Sequence, residues 1–322
     1  MTAPQTDRQG TTVGLAFRRV VAKLRDARLH YGHGTHDARD EAAFLLLHIL
    51  GLPPQALALH AGTRLSGEQL KRLEKLVKQR IRNRVPAAYL LREAWLGEHR
   101  FYVDRRVIVP RSFVAELLRD RLEPWMRGPV RRVLDLCTGS GCLAILAAYA
   151  FPLARIDASD DSRAALAVAR RNVALHGLRR RVRLIHSDLF AALARRRYDV
   201  IVCNPPYVTA RRMRRLPLEF RHEPQRALAG GADGLDVVHR VLREAPEHLT
   251  QQGVLICEIG HNRATLERHY PRTAFLWPET SGGADRVFLL ERAEFSFRPA
   301  VAGPGTRAKH RPGRRSGRPR AR

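Results

Sequence analysis

Apolar residues recur at helical spacing through the first quarter of the chain. Three segments place apolar side chains three or four residues apart and end near glycine or proline: "FRRVVAKLRDARLHYGHG", "THDARDEAAFLLLHILGLPP" and "SGEQLKRLEKLVKQRIRNRVP". They predict three amphipathic helices. We therefore expect a flexible N-terminus at residues 1–13 and a helical domain at residues 14–90.

The pattern changes after these helices. "AWLGEHRFYVDRRVIVP" joins aromatic and β-branched residues to turn-like charged pairs, which predicts a β-hairpin within a connector at residues 91–112. From Val130, strands alternate with helices; the strands are RVLDLC, RIDASD, VRLIHSD, YDVIVCN, GVLICEIG and RVFLLE. This alternation predicts an α/β domain at residues 113–300, with a parallel sheet covered on both faces. Residues 301–322 lack any apolar period, so we expect a disordered basic tail.

Composition indicates a globular protein. The 322 residues are 44% hydrophobic, enough for a substantial core. No apolar stretch reaches membrane-spanning length, and "MTAPQTDRQG" lacks the apolar centre of a secretory signal. We expect a cytoplasmic protein without membrane contact. The four cysteines form no CxxC pair, so we predict small buried side chains and no metal site or disulfide framework.

The charge suggests an anionic partner. The formal net charge is +27, of which eight positive charges lie in residues 305–322. Such a balance is typical of proteins near nucleic acid, so we predict non-specific RNA contact through the basic surface and tail. Only five of the 58 basic residues are lysine. The arginine bias of a GC-rich genome therefore remains a second explanation.

In the stretch "DVIVCNPPYV", a predicted strand is followed by two residues that lack a backbone N–H. Pro205 and Pro206 have no N–H and cannot extend a ladder. The segment therefore presents acceptors: the Asn204 side-chain oxygen and the carbonyls of Asn204 and Pro205. This suits a ligand rich in N–H groups, whereas a rigid turn is the alternative interpretation.

The segment "VLDLCTGSGCLAI" predicts a ligand-binding loop between a strand and a helix. Gly139 and Gly141 allow a close backbone approach, and Asp135 ends the strand, where open α/β sheets bind ligands. A dinucleotide motif would place glycines where Cys137 and Cys142 stand.

Two further acids follow neighbouring strands. Asp160 stands about twenty residues beyond the glycine loop, where a carboxylate accepts from both hydroxyls of a ribose. Asp188 ends the third strand, beside the expected position of an adenine. An acidic pocket with little provision for phosphate favours S-adenosylmethionine. The alternative is that these acids cap helices or pair with arginines.

With that cofactor, the acceptor segment favours methylation of a planar nitrogen. Asn204 Oδ1 and the Pro205 carbonyl would hold two N–H groups and stabilise the positive charge that develops on the nitrogen. Tyr207 would pack over the planar group. No metal is required.

On these motifs, with "AYLLREAWLGEHRFYVDRRVIVPRS", "HEPQRALAGGADGLDVVHRVL" and "LICEIG", the chain resembles the glutamine N5-methyltransferases of the HemK/PrmC/PrmB type over residues 14–295. The resemblance implies a class I S-adenosylmethionine-dependent fold, with a Rossmann-like seven-stranded sheet and a helical substrate-recognition domain. It implies cofactor binding by the loop Cys137, Thr138, Gly139, Ser140 and Gly141, by Asp160 and by Asn204, in addition to Asp135 and Asp188. It implies substrate binding by Asn204, Pro205, Pro206 and Tyr207. It implies a catalytic role for Asn204, Pro205 and Tyr207.

Two departures indicate a branch of this family. Cys137 stands where release-factor enzymes usually carry glycine, and "PRSFVAE" replaces their PRPxTE-like segment. Both resemble the branch that acts on large-subunit ribosomal protein L three, free or in an assembling particle. Release factors remain the second choice. Adenine in nucleic acid comes third, because the long insertion of a target-recognition domain is absent, and a non-enzymatic RNA-binding protein comes last.

One loop lies beside this predicted acceptor site. We expect "ARRMRRLP", with Glu223 and Pro224 beyond it, to flank the acceptor channel. A solvated arginine-rich loop is the alternative.

Overall fold

The computed structural model of the chain describes residues 10–53, 56–126 and 128–295. Most of the predicted N-terminal segment and the whole of the predicted basic tail lie outside these residues. Among the residues described, no helix is both long enough and apolar enough to cross a membrane.

Four helices form the N-terminal part of the molecule: α1 (Val13–Asp26), α2 (Ala38–Leu50), α3 (Gly67–Asn83) and α4 (Ala87–Leu91). Their apolar stripes meet in a core that includes Leu24, Leu45 and Leu73. The three predicted helices are present. The fourth helix, α4, was not predicted, because it has only five residues and begins directly after Pro86.

The predicted hairpin follows these helices. Its strands β1 (Ala94–Leu96) and β2 (His99–Phe101) pair antiparallel. Beyond it, Tyr102 is anchored to the α/β part of the chain by the buried Asn172. The Tyr102 N–H donates to Asn172 Oδ1 at 2.7 Å, and Asn172 Nδ2 donates to the Tyr102 carbonyl at 3.0 Å. The connector is therefore tied directly to the α/β part of the molecule.

Six strands form the main sheet: β3 (Arg132–Leu136), β4 (Arg155–Asp160), β5 (Val182–His186), β6 (Tyr198–Cys203), β7 (Leu249–Glu258) and β8 (Val287–Glu291). Their spatial order is β5-β4-β3-β6-β7-β8. The final strand β8 runs antiparallel to β7, and the other neighbours are parallel.

The sheet departs from the predicted seven strands. In the described part of the chain, the seventh position beside β8 holds a single antiparallel bridge between Leu276 and Leu289. Pro271 and Pro278 flank this segment, and proline cannot donate to a ladder. Leu276 exchanges both backbone hydrogen bonds with Leu289, and the next such position along the ladder would be Pro278, which has no N–H, so the pairing stops at the bridge.

Helices cover both faces of the sheet: α5 (Val114–Arg119), α6 (Cys142–Ala150), α7 (Arg163–Leu175), α9 (Asp236–His248) and α10 (Arg263–His269). The short helix α8 (Ala210–Met213) buries no residue against the sheet. On one face Val133 and Val200 pack with α5, α6 and α7. On the other, Leu134 and Ile201 pack with α9 and α10. Successive strand residues point to opposite faces, so the apolar residues of each central strand contribute to both cores.

Candidate active site

A cavity of about 250 Å³ lies where four parallel strands end. Because the carboxyl ends of parallel strands meet at one edge, side chains distant in sequence converge there. Five predicted cofactor residues line this cavity: Cys137, Gly139, Asp160, Asp188 and Asn204. We call it the cofactor cavity.

The other four predicted cofactor residues, Asp135, Thr138, Ser140 and Gly141, do not line this cavity within the described chain. Asp135 is fully buried, and its Oδ2 accepts from the Thr138 hydroxyl and from the Ala144 N–H. It thereby joins the loop to the first turn of α6. Burial raises the pKa of the Asp135 carboxyl to about 7.

The loop after β3 turns through left-handed backbone. The φ angles of Cys137, Gly139 and Gly141 are 56°, 55° and 80°. Glycine adopts this region freely, whereas the left-handed conformation costs about 1–2 kcal/mol at Cys137, which has a Cβ. A Cβ at Gly141 would lie 3.1 Å from that of Ala169, so glycine there lets α7 pack against the loop.

Asp160 holds the glycine loop from the neighbouring strand. Its Oδ2 accepts from the Gly139 N–H at 2.9 Å, and its Oδ1 accepts from the Ser162 N–H at 2.8 Å. Burial raises the pKa of this carboxyl. Each oxygen retains a further lone pair, so the carboxylate can also accept from two neighbouring hydroxyls of a ligand.

Asp188 stands in a different environment. Its exposed carboxylate accepts from Arg240 at 3.0 Å, so the alternative interpretation of an acid paired with arginine describes its state here. Asp188 still lines the cofactor cavity.

The charges around the cofactor cavity suit a cationic nucleoside. Each of the three arginines in its wall pairs with a carboxylate, in the pairs Arg106–Asp104, Arg226–Asp161 and Arg240–Asp188. Asp160, by contrast, has no arginine partner among the described residues. A pyrophosphate would therefore meet no free cation in this wall, whereas ribose hydroxyls and a sulfonium fit it. These donors and acceptors match S-adenosylmethionine.

Asn204 joins this cavity to a second one of about 700 Å³, which we call the acceptor cavity. Asn204 lines both, as do Ile108 and Ala227. Among the described residues, nothing donates to the Asn204 side chain or to the carbonyls of Asn204 and Pro205. The acceptors predicted from "NPPY" are thus free at the junction of the two cavities, and residues 204–207 form no turn.

Pro205 and Tyr207 line the acceptor cavity, whereas Pro206 lines the cofactor cavity. The Tyr207 hydroxyl donates to Glu258 Oε1 at 2.9 Å. Burial, followed by the nearby Glu258 carboxylate, raises the pKa of Tyr207. A Cβ at Gly260 would lie 2.7 Å from the Tyr207 ring, so glycine there admits the ring.

Glu258 is a further site residue, which was not among the predicted ones. It is buried, and its Oε2 accepts from the Ser112 hydroxyl at 2.6 Å and from the Phe113 N–H at 2.9 Å. Burial raises the pKa of this carboxyl. The signal in the sequence was an acid at the end of the apolar strand "VLICE".

A second buried acid, Glu223, fixes the connector. Its carboxylate accepts hydrogen bonds from both Arg111 terminal nitrogens, at 2.5 and 2.6 Å, and from the Val109 N–H at 3.0 Å. Neighbouring Pro224 lines the cofactor cavity. In the "HEP" segment, Glu223 therefore holds the connector by hydrogen bonds, while the adjacent Pro224 forms part of the cavity wall.

The loop "ARRMRRLP" lies at the acceptor cavity, as expected. Arg211, Arg212 and Arg215 line it with exposed side chains. Just beyond, the buried Glu219 accepts from the His30 N–H at 3.0 Å and pairs with Arg80 of α3 at 3.4 Å. The helical part of the chain is thus joined to the loop that borders the acceptor cavity.

Two known protein families match separate parts of the chain. The family described as Methyltransferase small domain matches residues 114–265, and PrmC N-terminal domain matches residues 17–91. The chain is 52% identical to the ribosomal protein uL3 glutamine methyltransferase of Bordetella pertussis, covering 87% of this chain and 95% of the relative.

Two further relatives carry the same description. The protein of Burkholderia pseudomallei is 50% identical over 91% of this chain and 97% of its own length. That of Neisseria meningitidis is 49% identical over 90% of this chain and 96% of its own length. Identity at this level spans both the helical and the α/β parts. The chain therefore belongs to the family of ribosomal protein uL3 glutamine methyltransferases, which use S-adenosylmethionine.

Proposed function

We propose that this chain transfers a methyl group to the side-chain nitrogen of a glutamine in ribosomal protein uL3. The observation that carries the proposal is Asn204, whose unpaired side chain lies at the junction of the cofactor and acceptor cavities. The curated relatives are described as acting on uL3. When bound, S-adenosylmethionine supplies an electrophilic methyl group on a cationic sulfur.

In this proposal, Asn204 and Pro205 orient the acceptor. The glutamine carboxamide carries two N–H groups, and Asn204 Oδ1 and the Pro205 carbonyl accept one each. Because the nitrogen lone pair is delocalised into the carbonyl, the amide is a weak nucleophile and depends on positioning. The two acceptors hold its plane so that the lone pair faces the cofactor cavity.

The same acceptors stabilise the charge that develops during transfer. As the nitrogen becomes positive, the negative ends of two fixed dipoles already face it, and they need no reorganisation. The methylated nitrogen is strongly acidic and releases its extra proton to water, so no strong general base is required. Tyr207, held by Glu258 at 2.9 Å, packs over the amide plane.

We assign substrate recognition to residues 14–90, the connector to residues 91–112 and transfer to residues 113–300. The Arg80–Glu219 contact supports this division, since it joins α3 to the loop beside the acceptor cavity. Because uL3 is a ribosomal protein, we propose that the reaction takes place in the cytoplasm, on free uL3 or on an assembling particle.

The test is Asn204→Ala, assayed with uL3 and labelled S-adenosylmethionine. We expect kcat to fall about a hundredfold or more, because a preorganised dipole is lost, while most cofactor affinity remains. The matched control is Asn83→Ala, at the exposed end of α3, which should leave kcat unchanged. Transfer by Asn204→Ala near the wild-type rate would contradict the mechanism.

A further inference from the structure

A third concave surface lies at the opposite edge of the sheet from the cofactor cavity. It is a cleft of about 730 Å³ at the amino ends of β3, β4 and β5. Its wall contains eight arginines and a single carboxylate, Asp157; the arginines are Arg132, Arg155, Arg170, Arg179, Arg180, Arg181, Arg183 and Arg196. We call it the arginine cleft.

The sheet register places two of these cations side by side. Arg132 of β3 and Arg155 of β4 are direct partners in the parallel ladder, and neighbouring strands lie only about 4.8 Å apart. Like charges opposite each other destabilise a sheet. Folding alone therefore gains nothing from this pair, whereas a bound polyanion would relieve the repulsion.

The one carboxylate leaves most of the positive charge uncompensated. Asp157 accepts from Arg183 through both oxygens, each at 2.9 Å, and from Arg196 at 3.3 Å. Arg181 instead donates to two backbone carbonyls. Among the described residues, the other five guanidinium groups have neither a hydrogen bond nor an ion pair, and all five are exposed: Arg132, Arg155, Arg170, Arg179 and Arg180.

We propose that the arginine cleft binds the phosphate backbone of RNA. Every cation in its wall is arginine, whose planar fork donates to phosphate through two parallel hydrogen bonds. The cleft is concave, which suits a strand of phosphates better than a flat membrane surface. The choice of RNA rests on the proposed function, because uL3 belongs to a ribonucleoprotein.

The position of the cleft allows both sites to be occupied together. The cofactor cavity lies at the carboxyl ends of the strands and the arginine cleft at their amino ends. A strand of five residues separates these edges by about 17 Å. RNA in the cleft would therefore hold the enzyme on a particle without filling the acceptor cavity, and thereby raise the local concentration of uL3.

The test uses the full chain and labelled oligouridine, with binding measured across a range of salt concentrations. The cleft variant carries Arg155→Glu, Arg179→Glu and Arg180→Glu. The control carries Arg18→Glu, Arg19→Glu and Lys75→Glu, which make the same charge change on exposed faces of α1 and α3. We expect the cleft variant to bind at least tenfold more weakly, and the slope of log K against log salt to shrink by about 2.

The outcomes separate the cleft from net charge and from an acidic protein partner. Equal weakening in both variants would overturn the proposal, as would displacement of RNA by polyglutamate at equal charge concentration. Methylation of free uL3 by the cleft variant should match wild type, which shows that it folds. Because RNA binding is measured without methyl transfer, its failure is distinguishable from failure of the proposed function.

Discussion

The Tyr207 hydroxyl lies 2.9 Å from Glu258 Oε1 and donates a hydrogen bond to it. Glu258 also accepts from the Ser112 hydroxyl and the Phe113 N–H. One buried carboxylate therefore joins the acceptor segment, the end of β7 and the end of the connector. This arrangement fixes the tyrosine ring in the wall of the acceptor cavity, which Asn204 also lines and where the acceptor amide is proposed to lie.

Replacing Tyr207 with phenylalanine tests this arrangement. The ring keeps its apolar contacts, but the Glu258 carboxylate loses one of its three hydrogen-bond donors. A buried acceptor that loses its hydrogen bond costs about 1–3 kcal/mol. We expect kcat for uL3 methylation to fall about tenfold, with the affinity for S-adenosylmethionine unchanged. Steady-state kinetics and calorimetry measure the two quantities.

The control for this substitution is Tyr149→Phe, which removes an exposed hydroxyl paired with His176. It should leave both quantities unchanged. If Tyr207→Phe transferred methyl at the wild-type rate, the Glu258 contact would serve only stability and the assigned role of Tyr207 would be wrong.

Asp160→Asn tests the cofactor cavity. The carboxylate accepts from two backbone N–H groups through separate oxygens. An asparagine can accept only one of them and presents a donor to the other. Loss of a charge-assisted hydrogen bond costs about 1.5–3 kcal/mol, so we expect S-adenosylmethionine to bind about 10- to 100-fold more weakly.

The neighbouring Asp161→Asn provides the comparison, because that exposed carboxylate pairs with Arg226 and holds no loop amide. It should weaken cofactor binding much less than Asp160→Asn. Equal losses in calorimetric titrations of the two variants would argue that general acidity of the cavity, rather than the Asp160 geometry, binds the ligand.

Asp135 makes stability depend on pH. Burial raises its pKa from 3.8 to about 7 in the folded chain, so between these values the folded state binds the proton and the unfolded state does not. Its contribution to stability is complete below pH 4 and is lost as pH rises through 7. The loss is on the order of 4 kcal/mol.

Asp135→Asn removes this ionisation and keeps an acceptor for Ala144. The unfolding free energy of the variant should therefore rise relative to wild type as pH increases from 4 to 8. Denaturant unfolding at several pH values measures the difference. Two parallel stability curves would mean that Asp135 remains ionised in the folded protein throughout this range.

Local patterns were enough to predict most of the fold. The apolar runs from Val133 and from Val200 matched the central strands, since both faces of a parallel sheet are buried. The acceptors of Asn204 and Pro205 followed from the missing N–H groups of the prolines. These features depend on residues adjacent in sequence, which is why a pattern could reveal them.

Contacts between distant segments could not be predicted in this way. Glu223 pairs with Arg111 at the end of the connector, and Glu219 pairs with Arg80 of α3, but no spacing in the chain encodes these pairings. In the same way, the position of Asp135 near a strand end predicted a contact with the ligand. Its carboxylate instead accepts a hydrogen bond from the first turn of α6. The orientation of such side chains is decided by tertiary packing.

The most direct measurement is methyl transfer from labelled S-adenosylmethionine to three purified acceptors: uL3, a peptide chain release factor and unmodified RNA. We expect label on uL3, mapped to a single glutamine by mass spectrometry and absent with Asn204→Ala. Label on the release factor alone would keep the chemistry but contradict the substrate. Label on RNA alone would contradict the proposed acceptor altogether.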